Sequence, residues 1–271
     1  MTRDIKELAA IAKKLRRMII EMLAGAGSGH PGGSLSAADI VTALYFAKMR
    51  YDAQNPQWRE RDKFVLSKGH AAPALYAALM EAGLLDRDLQ ATLRKIGSPL
   101  QGHPDMHKVP GVEISTGSLG QGISVAAGIA LAGKLDKLNS KVYCLTGDGE
   151  CQEGQVWEAA MSAAHYRLDN LIVITDRNRL QIDGDTEQVM GLEPLAEKWR
   201  AFGFEVLEID GHDFTQILGA LDRADTIVGR PVYILANTVK GKGVSFMENK
   251  AHYHGVAPTP EEKIKALAEL E

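Results

Sequence analysis

Asp148 and Asn178 are the residues of this sequence best placed to hold a metal. Asp148 lies in Gly147-Asp148-Gly149, directly after the apolar run Val142–Thr146, and Asn178 in Asp176-Arg177-Asn178-Arg179-Leu180, after the next run, Leu171–Thr175. If those runs are neighbouring parallel strands, the two side chains, 30 positions apart, stand side by side at one sheet edge. Two side-chain oxygens and a backbone carbonyl leave coordination positions for phosphate oxygens, as magnesium prefers. The flanking glycines let the backbone close on a diphosphate, and the helix that follows turns its N-terminus toward negative charge. Alone, a Gly-Asp-Gly triplet is a turn signal; the asparagine after the next strand is what points to a site.

Four histidines form a second set. His30, His70, His103 and His254 each adjoin glycine or proline in an expected loop, which makes them poor core residues. Imidazoles near their neutral pKa suit a reaction that moves protons. His107, His165 and His212 lack that setting, and His165, after an alanine-rich helix face, is expected to pack there. No His/Cys cluster has zinc-ligand spacing. Cys144 and Cys151 read as free thiols in a reducing cytosol.

Those residues need strands ending in loops to carry them, and the hydrophobic pattern supplies both. Ile5, Leu8, Ala12, Leu15, Ile19 and Met22 repeat at three and four, a helix expected to end near Gly25. A glycine-rich connection, Gly25 to Gly33, leads to a second helix around Ala37 to Met49, with Ser36 placed to cap it. Phe64–Leu66 reads as a strand, Ser67-Lys68-Gly69-His70 as its loop and the alanine-rich stretch through Ala82 as a helix. The same grammar returns at Val142–Thr146 with a helix over Val156 to His165, then at Leu171–Thr175, Glu205–Ile209 and Val232–Ala236, with helices around Leu195 to Phe202 and Phe214 to Ala224. Near-continuous apolar strands alternating with helices imply an α/β fold, a mostly parallel sheet with helices on both faces. Ligands of such sheets collect at the strands' carboxyl ends. The turn-rich segment Ile96 to Gly122 breaks the alternation and is long enough to be functional. Met18, Met22, Met49, Met80 and Trp157 read as core, and Glu261–Glu271 as a terminal helix.

The chain has 271 residues, 45% of them hydrophobic, enough to build one domain over 1–271 around a core without metals or cross-links. A formal charge of -4 gives no field to gather nucleic acid or an anionic membrane. No stretch reaches the ~18 apolar residues of a membrane span, and the charged N-terminus lacks a signal-peptide layout. A cytoplasmic protein is expected.

Ser28-Gly29-His30-Pro31-Gly32, Ser67-Lys68-Gly69-His70, Gln101-Gly102-His103-Pro104, Thr116-Gly117-Ser118-Leu119-Gly120-Gln121-Gly122 and Gly147-Asp148-Gly149-Glu150-Cys151-Gln152-Glu153-Gly154 resemble, in order, the signature segments of transketolase. The likeness runs from about Leu8 to Pro258 and stops where that family's first domain stops. It implies the thiamine diphosphate-binding fold and the N-terminal, diphosphate-binding subunit of a split enzyme that transfers a two-carbon ketol unit between sugar phosphates. By the resemblance, Asp148, Asn178 and the carbonyl of Leu180 are ligands of Mg2+ (or Ca2+ or Mn2+), and Gly149 belongs to the cradle of thiamine diphosphate. Gly117, Leu119 and Ile182 line its rings, Glu153 belongs to an acidic network between paired sites, and Lys68, His70 and Lys240 face the diphosphate. His30, His103 and His254 face substrate, the Tyr253-His254-Gly255 context favouring His254 over His252. A C-terminal transketolase subunit with the pyrimidine-binding and C-terminal domains is the implied partner, in an assembly of two of each chain.

Other readings are a subunit of another thiamine diphosphate enzyme (a specialised-sugar transketolase, a deoxyxylulose-phosphate synthase-like or a 2-oxoacid dehydrogenase-like protein) and a non-catalytic scaffold of the same fold. The Gln101–Pro104 and Thr116–Gly122 segments favour transketolase.

Overall fold

A computed structural model describes residues 2–271. Its centre is a five-stranded, wholly parallel sheet. The strands are β1 (Lys63–Leu66), β2 (Val142–Gly147), β3 (Leu171–Arg177), β6 (Glu205–Asp210) and β7 (Val232–Asn237), in the spatial order β1-β2-β3-β7-β6. Two residues each of β4 (Leu180–Gln181) and β5 (Gly184–Asp185) form a separate antiparallel hairpin after β3.

Both faces of the sheet are covered because successive side chains point to opposite sides. Tyr143, Leu145, Ile172, Ile174, Val232 and Ile234 meet a layer built from α1 (Ile5–Ala26), α3 (Ala38–Ala43), α4 (Ala72–Glu81) and α9 (Phe214–Thr226). Val142, Cys144, Leu171, Val173, Tyr233 and Leu235 meet α5 (Gln121–Leu135), α6 (Gly154–His165) and α8 (Leu195–Ala201). Both cysteines are buried free thiols, and Met18, Met22, Met49 and Met80 are core. Trp157 packs partly buried against Trp199 and Phe202.

Local signals set most boundaries. Asp4 caps α1 through a bond from the Lys6 amide at 2.8 Å, and Gly27, left-handed at φ 62°, ends it. Thr259 and Glu262 form a reciprocal capping box at the start of the terminal helix α10 (Pro260–Glu269). Among the described residues no helix is long and apolar enough to cross a membrane.

Three expectations need correction. The second helix begins at Pro31, as α2 (Pro31–Ser36), breaks at Ala37, resumes as α3 and finishes in a π turn, Leu44–Lys48. Proline at the first helical position presets φ, so no capping serine was needed; the Ser36 hydroxyl instead donates to Asp176 Oδ2 at 2.5 Å. The turn-rich segment ends sooner than Gly122, because α5 starts after left-handed Gly120 (φ 82°). That helix gave no periodic signal, being apolar on nearly every side until Lys134. His165 is exposed at the end of α6, where the helix has run past the core.

Candidate active site

The carboxyl ends of β1, β2, β3 and β7 meet around one cavity. Gly147 pairs with Asp176, so Asp148 follows β2 directly beside the residues that follow β3. Asp148 is 2% exposed. Its Oδ1 accepts from the Gly149 amide at 2.8 Å, and its Oδ2 from the Arg179 amide at 2.5 Å and from Arg177 Nη1 at 3.2 Å. Asn178, 6% exposed, has its Oδ1 facing its own turn, accepting from the Leu180 amide at 3.1 Å. The Leu180 carbonyl accepts from Lys240 Nζ at 2.8 Å.

Charge in this corner is poorly balanced. Burial pushes the Asp148 carboxyl up, with neighbouring Asp176 adding to the effect against Lys240 and Arg177. Burial likewise pulls the Lys240 ammonium down to about 8. Asp176 has its burial outweighed by the Lys68 ammonium bonded to it, and lies below the ordinary carboxylate range. A buried carboxylate, an amide oxygen and a carbonyl already drawing an ammonium are hard oxygen donors, and a divalent cation would offset the charge that burial makes costly. The residues present therefore fit such an ion.

Asp148, Gly149, Asn178, Leu180, Ile182, Lys68, His70, Leu119, Glu153, Lys240 and His254 all line the same cavity. Ile182 stands at its rim, 70% exposed, on the hairpin. Glu153 is exposed at the head of α6. The Lys68 ammonium is already held by Asp176 and by the Gly33 carbonyl at 2.8 Å.

Three histidines cluster behind this wall. The rings of His30 and His70 are 5.2 Å apart, as are those of His70 and His254, and His30 and His254 are 5.7 Å apart. Burial, reinforced by Arg94, pulls His30 down to about 4, and burial with Lys240 pulls His254 down to about 3. His70 falls well below its ordinary value through burial and Lys68. His30 Nδ1 and His254 Nδ1 are buried without a protein partner. His103 is lowered by burial and Arg94 and lies against Gly117, where an added Cβ would stand 3.0 Å from the ring. Neither of them, nor His30, lines the cavity itself. His252 is exposed, so of that pair only His254 reaches the site. His212 is structural: its Nδ1 meets Asp39 at 2.7 Å and its Nε2 accepts from the Val239 amide at 2.8 Å.

Sequence reasoning passed over Asp176, Glu150 and Arg177. Asp176 joins Ser36, Lys68 and Thr238 from three other segments. Glu150 accepts from the Gly120 amide at 2.9 Å, the Gly147 amide at 3.0 Å and the Ser67 hydroxyl, bracing three loops at once. A carboxylate inside or directly after a buried strand was the available signal for both, since such a charge is kept only when paired.

Residues 8–270 match the family described as "Transketolase, thiamine diphosphate binding domain". The 6-deoxy-6-sulfo-D-fructose transketolase subunit SqwG of a Clostridium species is 49% identical over 260 residues, covering 96% of this chain and 94% of its own. A subunit of the apulose-4-phosphate transketolase of Phocaeicola vulgatus is 44% identical over 267 residues, covering 98% and 95%. Among solved structures, transketolase from Campylobacter jejuni superposes with a TM-score of 0.93 at 36% identity. That alignment covers 98% of this chain and 43% of the other, so the chain spans less than half of the solved enzyme.

Proposed function

The chain belongs to the transketolase family through its thiamine diphosphate-binding domain, and from that premise we propose that residues 1–271 act as one domain, the diphosphate-binding subunit of a two-chain transketolase. The reaction is transfer of a two-carbon ketol unit from a ketose to an aldose. Two relatives matched along nearly their whole length are named as transketolase subunits, which supports a complementary second chain. Their names specify a sulfonated and a phosphorylated sugar, and substrates with an anionic terminus are the class proposed here. Two of each chain, the usual two-fold arrangement, in the cytoplasm complete the reading.

The observation that carries the proposal is the meeting of Asp148, Asn178 and the Leu180 carbonyl, from the ends of adjacent strands, in one cavity with His70 and His254. On this reading those three oxygens hold Mg2+, and Gly149, Lys68, His70 and Lys240 bind the diphosphate. Gly117, Leu119 and Ile182 offer surface to the cofactor's rings, and Glu153 faces the paired site. Thiamine diphosphate, when bound, supplies the carbanion chemistry. The chain's part is to orient the reactants. Burial holds His30 and His254 neutral at pH 7 and well below the near-neutral pKa expected of proton carriers, so on this reading each orients a sugar hydroxyl by accepting its hydrogen bond at a ring nitrogen. His103, packed against Gly117 outside the cavity lining, is the third histidine proposed to face substrate.

Calorimetric titration of thiamine diphosphate into the chain plus its complementary subunit tests this. Binding that requires Mg2+, with ketol transfer from a phosphorylated or sulfonated ketose only when both chains are present, is the expected result. Cofactor uptake indifferent to Mg2+, or none at all, rejects it.

A further inference from the structure

Arg177, the last residue of β3, has a side chain only 1% exposed, and the chemistry proposed for the cavity gives it no task. A guanidinium out of water needs acceptors around its fork. Here Nη1 donates to Asp148 Oδ2 at 3.2 Å and to Thr186 Oγ1 at 2.8 Å, while Nη2 donates to Glu187 Oε1 at 3.1 Å and Glu193 Oε1 at 2.7 Å. Three of these four partners lie on one short segment, residues 186–193, which includes the single helical turn α7 (Thr186–Val189). The same segment has further ties to the cavity. Gln152 Nε2 donates to the Met190 carbonyl at 2.8 Å and to Gln181 Oε1 at 2.6 Å, and the Thr186 amide donates to the Arg179 carbonyl at 3.0 Å.

We infer that Arg177 is a positioning residue that couples Asp148 to the 186–193 segment, so that cation uptake orders the segment and the segment's grip on the guanidinium raises cation affinity. The inference rests on the proposed function, because it takes Asp148 as a metal ligand. A guanidinium is a planar fork, so fixing one side on Glu187 and Glu193 fixes the direction from which the other meets Asp148. Any free-energy coupling of this kind is reciprocal: what the segment does for the ion, the ion does for the segment. The two half-exposed glutamates also offset the charge Arg177 brings near the cation site.

Charge and positioning predict opposite outcomes for R177Q. An arginine acting by charge alone repels the ion, and its removal tightens binding. A positioning arginine lost from a metal ligand's outer contacts weakens binding by about 10- to 100-fold. The test titrates Mg2+ into the two-chain assembly with thiamine diphosphate. It reads Trp157 fluorescence, because that indole donates to the Cys151 carbonyl in the turn after Asp148 at 2.9 Å, together with hydrogen exchange over residues 186–193. Expected are slower exchange in the wild type on saturation, a higher half-saturating Mg2+ with no such protection in R177Q, and no rescue by R177K, which keeps the charge without the fork. T186V removes a fork acceptor without changing any charge and decides the matter should R177Q not fold; it is expected to weaken Mg2+ binding too. R177Q binding Mg2+ as tightly as wild type or more so, an unshifted T186V, or cation-independent exchange in a responsive wild type overturns this inference alone. A wild type with no Mg2+-dependent cofactor response overturns the proposed function and this inference with it.

Discussion

Asp148 is a carboxylate that the fold buries without a full complement of positive charge. Its carboxyl is raised in the folded state, so its contribution to stability is present in acid and is lost as pH rises through the folded value. D148N is expected to abolish Mg2+-dependent binding of thiamine diphosphate while the metal-free chain still folds and loses the pH dependence that the buried carboxyl contributes. Thermal melts beside calorimetry check this, and retained binding counts against the ligand assignment. His30 and His254 carry the opposite sign. Their folded values, about 4 and about 3, lie below the ordinary 6.5, so the unfolded chain takes up protons first on acidification. Their stabilising effect is full above 6.5 and fades toward 4 and 3. H254N is expected to lose urea stability less steeply than wild type below 6.5; parallel slopes refute the shifted imidazole.

At the scale of elements, close approach matters more than propensity. Gly122, at the start of α5, lies so near β1 that an added Cβ would stand 2.6 Å from the Ser67 Cα, a backbone atom that cannot swing aside. G122A is expected to cost about 1–3 kcal/mol, as overpacking does, and to weaken cofactor binding as well, because Ser67 leads into Lys68 and His70. D4A removes the side-chain cap of α1, at the opposite end of that 22-residue helix from the His30 loop, and is expected to cost about 1 kcal/mol with cofactor affinity unchanged. Paired chemical denaturation and cofactor titrations distinguish them. Equal effects of the two changes on affinity contradict this account of α5.

Across the whole molecule, Asp176 ties together α2 through Ser36, the loop after β1 through Lys68 and the end of β7 through Thr238. Both members of the Lys68–Asp176 pair are essentially inaccessible to water, at 1% and 0%. D176N strands a buried ammonium and is expected to destabilise by about 3–5 kcal/mol, whereas a K68M/D176L double substitution recovers much of that loss. Denaturant midpoints of the single and double variants measure it. A double variant less stable than D176N shows that the pair does more than satisfy itself.

The five apolar runs, their parallel pairing and the position of Gly147–Gly149 at a strand end were legible in the sequence, because alternation and turn chemistry are local and each strand carries its own signal. The loop setting of His30, His70, His103 and His254 was legible for the same reason. Hidden from it were α5, whose all-round apolarity erases periodicity, the early start of α2 at Pro31 and the exposure of His165. So were the roles of Asp176, Glu150 and Arg177, whose partners lie as many as 140 residues away. Types and spacings along a chain determine which groups can reach a sheet edge. Only the packed fold decides which buried charges meet there, because a charge removed from water is set by neighbours that sequence distance does not reveal.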